Sequence, residues 1–171
     1  MAVLPIRVYP DPVLRVRCPE VTAFDGELER LARDMVETLH AAPGIGLAAP
    51  QVGVEARLAV VDITVGREPE ALHVLVNPVI RERRGEVVEE EGCLSIPELS
   101  DRVARPYGLR LEYQSLQGEP AALEVEGLLA RAVCHEVDHL DGVLFVDHLK
   151  GLRRERARRF LRRMAREEVG V

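Results

Sequence analysis

Between residues 57 and 127 the chain carries five short apolar or alternating runs with no helical spacing between them. That block limits the fold more than any other feature. RLAVVDI (57–63), ALHVLVNPVI (71–80), GEVVEE (85–90), YGLRLEYQS (107–115) and AALEVEG (121–127) are each bounded by turn residues and read as strands. Strands that follow one another in a block, rather than alternating with helices, pair mostly antiparallel. Helical spacing lies outside the block. ELERLARDMVETLHAA begins at Asp25-Gly26, puts Leu28, Leu31, Met35 and Leu39 on one face, and stops at Pro43-Gly44. LLARAVCHEVDHLDG (128–142) is helical in spacing and ends at Gly142. KGLRRERARRFLRRMAREE forms a last long helix, with Leu152, Phe160, Leu161 and Met164 on one face and arginines on the other. GIGLAAPQVG (44–53) is too rich in Gly and Pro to be regular structure. The expectation is an α+β fold: mostly antiparallel β-sheets packed around a central helix, with an N-terminal and a C-terminal helix.

With 171 residues and no repeat, linker or low-complexity tract, one domain spanning 1–171 is expected. Apolar residues at 47% exclude a disordered chain, and charged residues at 30% favour a soluble one. No apolar run approaches the ~18 residues that span a bilayer. Pro5 and Pro10 interrupt the stretch where a signal peptide would need its apolar core. Three cysteines, Cys18, Cys93 and Cys134, cannot build a disulfide framework, since an odd count leaves a free thiol. A cytoplasmic location without membrane association is therefore expected. Charge is uneven: residues 150–171 hold nine basic and three acidic side chains, a balance of +6 in a chain of −6, so residues 1–149 carry −12. A basic tail on an acidic body points to an anionic partner for the tail, or to a solvated face that balances the body.

The sharpest chemical signal is His135-Glu136-Val137-Asp138-His139. Residues four apart on a helix share a face, so both imidazoles reach one ion at roughly 2 Å. Glu136 projects about 100° away, near enough to handle the proton of an activated water without being a ligand. This arrangement suits metal-assisted hydrolysis. Such a site needs a third protein ligand. One zinc-peptidase class supplies a His six residues on, where this chain has Phe145. His148 lies beyond the helix end, and Glu155 sits on an arginine-rich face. The better candidate lies upstream, in Glu91-Gly92-Cys93-Leu94-Ser95.

Three separated runs then carry a resemblance: GIGLAAPQ (44–51), EGCLS (91–95) and HEVDHLDG (135–142). In this order the chain resembles the peptide deformylase family. The resemblance implies that Cys93, His135 and His139 ligate one divalent metal ion, ferrous iron natively, with Zn, Ni or Co able to substitute. It implies Glu136 as general acid/base, and the Gln51 amide and Leu94 backbone N–H as donors to the oxyanion. Gly44 and Gly46 would approach the substrate backbone. Ile45, Leu128, Arg131 and Ala132 would line the methionine pocket, and a Glu91–Arg105 pair would hold the cysteine loop. The implied reaction is removal of the N-formyl group from the formylmethionine of nascent polypeptides, with release of formate. The implied partners are those nascent chains and, through Arg153, Arg154, Arg158 and Arg162, the ribosome; a monomer is expected.

Cys134, just before His135, stands where many of that family have glutamine. It reads as a buried structural thiol, and Cys18, His40, His73 and His148 read as bland positions. Three competing classes make different demands. A zincin-type metallopeptidase needs a different third ligand and no Cys93. A cysteine hydrolase would use Cys93 as nucleophile and survive metal removal. A non-enzymatic ribosome-binding protein would have no use for Cys93, Glu136 and Gln51 together.

Overall fold

The computed structural model describes residues 2–170. Asp25 caps α1 (Gly26–Ala41): its Oδ1 accepts from the N–H groups of Glu27 at 3.1 Å and Leu28 at 3.2 Å. That satisfies donors the first helical turn leaves free. The helix buries Leu28, Ala32, Met35 and Leu39 against Leu47, Leu58, Val60 and Val76, with Leu31 at the margin.

Seven strands are formed among the described residues: β1 (Gly46–Ala48), β2 (Leu58–Val61), β3 (His73–Arg84), β4 (Val87–Cys93), β5 (Ile96–Arg105), β6 (Gly108–Gln114) and β7 (Pro120–Glu126). They make a five-stranded sheet in the order β1-β2-β3-β6-β7 and a separate ribbon of β4 with β5. Every ladder is antiparallel. α2 (Gly127–Leu140) packs on β1, β2, β6 and β7 and is buried almost all round from Ala130 to Leu140. It stops where Gly142 takes φ +72°, and a Cβ there would lie 2.6 Å from the Arg15 carbonyl oxygen. Conformation and space both demand glycine at this turn.

Three sequence expectations are corrected. The 44–53 run is not irregular: it holds β1 and a 3-10 turn, Ala49–Val52. β5 was not expected, because Pro97, Ser100 and Asp101 break its pattern. A two-stranded ribbon has only edge strands, where such residues are tolerated. In α3 (Gly151–Val169) the seam is Ala157 and Leu161 with Phe160 and Met164 beside them, packed near Leu14, Ile96 and Leu149. Leu152 is 88% exposed; five residues before Ala157, it lies about 140° round the helix from the seam.

The N-terminal segment stitches distant regions together through its backbone. Arg7 N–H donates to Gln51 O at 2.7 Å, Tyr9 N–H to Ser95 O at 2.9 Å and Cys18 N–H to Leu140 O at 2.8 Å. The three motif regions are thus tied to one extended piece of chain. No helix among the described residues is long and apolar enough to cross a membrane.

One buried carboxylate outside the site sets a pH test. Burial pushes the Asp62 carboxyl up, but the Thr64 hydroxyl (2.7 Å), the N–H groups of Gly66 (2.7 Å) and Thr64 (2.9 Å), and His40 Nε2 (2.8 Å) outweigh it. Together they hold Asp62 well below the usual carboxylate range. A depressed native pKa stabilises the fold fully above the unfolded value near 4, and that stability is lost as pH falls below it. Asp62→Asn should cost about 1–3 kcal/mol at pH 7 and flatten the fall in stability between pH 5 and pH 3. Denaturant titrations of the metal-free proteins check this; parallel pH slopes for the two chains would refute it.

Candidate metal centre and catalytic cleft

α2 presents His135 and His139 on successive turns, with their Nε2 atoms 3.1 Å apart. Cys93 arrives from the end of β4, where the ladder slips register between Gly92 and Cys93. Such a bulge re-aims a side chain. Here it brings Sγ to 3.3 Å from His139 Nε2. The three donor atoms lie within 4.8 Å of one another. A tetrahedral ion about 2 Å from nitrogen and 2.3 Å from sulfur needs donors roughly 3.3–3.6 Å apart, close to this spacing. His135 Nδ1 faces Glu91 Oε1 at 2.5 Å. A carboxylate there keeps the ring proton on Nδ1 and leaves the Nε2 lone pair free for a metal. Two imidazoles and a thiolate suit a borderline-soft divalent ion. The residues present therefore fit a metal.

Glu91 holds this arrangement. Its Oε1 accepts from Arg105 Nη2 at 2.7 Å as well as facing His135, and its Oε2 accepts from Arg105 Nε and Arg131 Nη1, each at 3.0 Å. Four donors fill the four lone-pair positions of a carboxylate. Although burial pushes the Glu91 carboxyl up, His135 and Arg105 bring it down to about 2. Arg105 continues outward: its Nη1 donates to Asp138 Oδ2 at 2.6 Å, and His148 Nε2 lies 2.8 Å from that same oxygen. His148 is thus outside the donor group, bound to Asp138. Phe145 stacks on the His135 ring with centroids 6.4 Å apart, and Glu155 pairs with Arg158 at 3.6 Å. Neither supplies a third metal ligand.

Glu136 is 3% exposed and its Oε2 has no protein partner. Burial pushes its carboxyl up to about 7; Glu91 and Asp138 add to the rise while His135 and Arg105 oppose it. Its carboxylate rests on Gly46, where a Cβ would lie 2.3 Å from Oε1. Glycine here makes room for an enzyme side chain as well as for any substrate. Gln51 is fully buried: Oε1 accepts from Ala48 N–H at 2.9 Å, while Nε2 donates to Ser95 Oγ at 3.1 Å and stands 3.7 Å from Cys93 Sγ. Ser95 was not singled out as a site residue, yet its hydroxyl aims the Gln51 amide at the thiol. The signal was its place in EGCLS.

These groups open on a cleft of about 790 Å³. Gly44, Ile45, Gly46, Leu94, Leu128 and Ala132 all line it. A Cβ on Gly44 would meet Leu94 Cδ1 at 2.8 Å. Arg131 also reaches the cleft, but its guanidinium is committed to Glu91, Val103 O and Val87 O, each at 3.0 Å. It is a bracing group more than a pocket wall. Cys134 is buried and its thiol is pushed up to about 11 by burial, which suits a structural role. Cys18 is buried as well.

Residues 3–155 match the family model described as polypeptide deformylase. The chain belongs to the polypeptide deformylase family. A peptide deformylase of Acidobacterium capsulatum is 45% identical over 97% of this chain and 98% of its own length. The solved peptide deformylase of Thermus thermophilus superposes with TM-score 0.88 at 46% identity, covering 96% of this chain and 99% of its own. That of Plasmodium falciparum reaches TM-score 0.91 at 34% identity, covering 97% and 98%. The protein is a deformylase, a metal-dependent hydrolase that removes the formyl group from N-terminal formylmethionine. The zincin alternative is not favoured, since the third donor is the upstream Cys93.

Gly46→Ala tests the contact with Glu136. The added Cβ displaces a side-chain carboxylate rather than backbone, so the fold should survive. Deformylation should fall on the order of 10²-fold, the usual consequence of misplacing a reacting group by about 1 Å. Formate release and a thermal melt on the same sample decide; wild-type turnover would show that the Glu136 position does not matter.

Proposed function

We propose that Cys93, His135 and His139 hold one divalent ion, Fe(II) in the cell, and that Glu136 is the acid/base of the deformylation. The observation that carries this reading is a buried, unpartnered Glu136 carboxylate beside a Cys–His–His donor set at the floor of one cleft. A bound ion would acidify water and polarise the formyl oxygen. Around it, Glu136 takes the proton of the attacking water and passes it to the departing amine nitrogen. Without an ion, burial raises its carboxyl, the direction that makes it a better proton acceptor than an exposed glutamate. The Gln51 Nε2 and the Leu94 backbone N–H donate to the oxygen as the carbon becomes tetrahedral. The distance of 3.7 Å from Gln51 Nε2 to Cys93 Sγ puts that amide beside the ligand sphere.

β1 is the edge of the five-stranded sheet, with β2 on one side only. A substrate peptide laid along it would gain backbone hydrogen bonds from the segment at Gly44 and Gly46. Its methionine side chain would then rest among Ile45, Leu128 and Ala132, with Arg131 bracing the floor. Zinc binds such donors more strongly than iron, so a sample purified in air would carry Zn, Ni or Co. The free thiols suit a reducing compartment, and we place the enzyme in the cytoplasm.

The finer partner assignment is a ribosome contact through α3. Arg153 and Arg156 pair with Asp101, at 3.7 and 3.1 Å, and Arg158 pairs with Glu155. Arg154, Arg159 and Arg162 are among the exposed cations, with Lys150, Arg163 and Arg166, that make no ion pair among the described residues, and so are available to phosphate.

Formate release from N-formyl-Met-Ala-Ser by anaerobically prepared, Fe(II)-loaded protein should depend on the metal, vanishing on chelation and in Cys93→Ala. Glu136→Ala should keep the metal and lose about 10²–10⁴-fold in turnover. A metal-bearing Glu136→Ala enzyme with normal turnover would remove Glu136 from the mechanism. Separately, changing Arg154, Arg159 and Arg162 to Glu should abolish co-sedimentation with ribosomes at low salt without changing tripeptide deformylation. Unaltered co-sedimentation would refute the α3 contact.

A further inference from the structure

His148 belongs to no metal group and touches no substrate wall, yet it ends a continuous chain of polar contacts that begins at the metal centre. From the ring of His135 the chain passes to Glu91 Oε1 at 2.5 Å, then through Arg105 to Asp138 Oδ2 at 2.6 Å, and ends at His148 Nε2 at 2.8 Å. We infer that His148 is a positioning residue for the metal centre, acting through Asp138 and Arg105 on the Glu91 carboxylate that orients His135. The inference rests on the Cys93–His135–His139 reading above.

The hydrogen-bond inventory makes the link directional. Glu91 has no free lone pair left, so it can turn only if Arg105 or Arg131 moves with it. Arg131 is fixed by two backbone carbonyls. Arg105 has no backbone acceptor among its contacts: two of its nitrogens hold Glu91 and the third holds Asp138. Its outer anchor is therefore a side chain on the last turn of α2, 24% exposed. His148, presented by the 3-10 turn Phe145–His148, donates from Nε2 to that same oxygen and holds it towards Arg105. The Nε2 atom also lies 3.3 Å from Arg105 Nη1, but a nitrogen that donates to Asp138 cannot also accept there. The His148 side chain is 37% exposed. As a plain surface ion pair it would add little to stability, so its effect should be sought in how tightly the metal is held.

The test compares wild type, His148→Ala and His148→Gln, each loaded with Co(II) and challenged with excess chelator, with release followed by the visible absorption of the thiolate-bound ion. Removing an outer partner of a metal-binding histidine typically weakens binding 10- to 100-fold; one contact further out, His148→Ala should release cobalt roughly 3- to 10-fold faster. Gln carries a donor near the place of Nε2 and should release within about twofold of wild type. Thermal midpoints of the three metal-free proteins should agree to within about 2 °C. Wild-type release from His148→Ala, release from His148→Gln as fast as from Ala, or a matching drop in the metal-free midpoint of the Ala variant would overturn the inference. Failure of the metal reading itself would show elsewhere, as a Cys93→Ala protein that retains cobalt as well as wild type.

Discussion

The buried Glu91 carboxylate is the joint on which the site depends. It lies on β4, receives Arg105 from β5 and both Arg131 and His135 from α2, and so ties the two-stranded ribbon to the central helix. With Asp138 the cluster sums to two carboxylates and two guanidiniums, neutral as a whole. That balance makes burial of Glu91, Arg105 and Arg131 tolerable, because each charge is matched and hydrogen-bonded. Removing a single member would leave an uncompensated charge, typically 3–5 kcal/mol. Replacing all of them by apolar residues would often cost little stability. The cluster's return is therefore positional: Cys93, two residues after Glu91, and His135 are both referred to one rigid carboxylate.

A second constraint works from the outside. The N-terminal segment bonds to Gln51, Ser95 and Leu140 through its backbone, and the Arg15 side chain adds a bond to Gly142 O at 3.3 Å, so one stretch of chain helps fix the spacing of the three motif regions. Gln51 and Ser95 then close the gap between two of those regions by a side-chain bond of 3.1 Å.

How far the sequence revealed this follows from the range of each interaction. The caps and faces of α1 and α2 are local, so Asp25, Gly142 and the His135–His139 pair were readable directly. Cys93 is 46 residues from His139, and no spacing rule reaches that far; resemblance supplied it. β5 was hidden because edge strands tolerate Pro97 and Asp101, and β1 because three residues give no period to detect. Leu152 was placed on the wrong face, since an arginine-rich helix with few apolar residues defines its seam poorly until a partner surface exists. Asp138 and His148 could not be linked without the turn at 145–148. For Gly46 the sequence offered a reason, close approach of substrate, and the fold added another in Glu136.

That last contact accounts for how Glu136, the acid/base group proposed above, stays in place with no protein partner. A carboxylate held by hydrogen bonds, as Glu91 is, is driven to low pKa and becomes a poor proton acceptor. Glu136 must sit beside the donor set, keep its oxygens free and yet not swing away. Packing against a bare Cα meets all three demands: Gly46 confines the carboxylate sterically without offering a donor that would depress it. Burial is then the largest influence on that carboxyl and raises it to about 7, with Glu91 and Asp138 adding to the rise and His135 and Arg105 opposing it. The two glutamates, each buried beside the same histidines, thus diverge in chemistry through what surrounds them. Arginines make one an anchor, and a glycine leaves the other without a partner, as the proposed acid/base role requires.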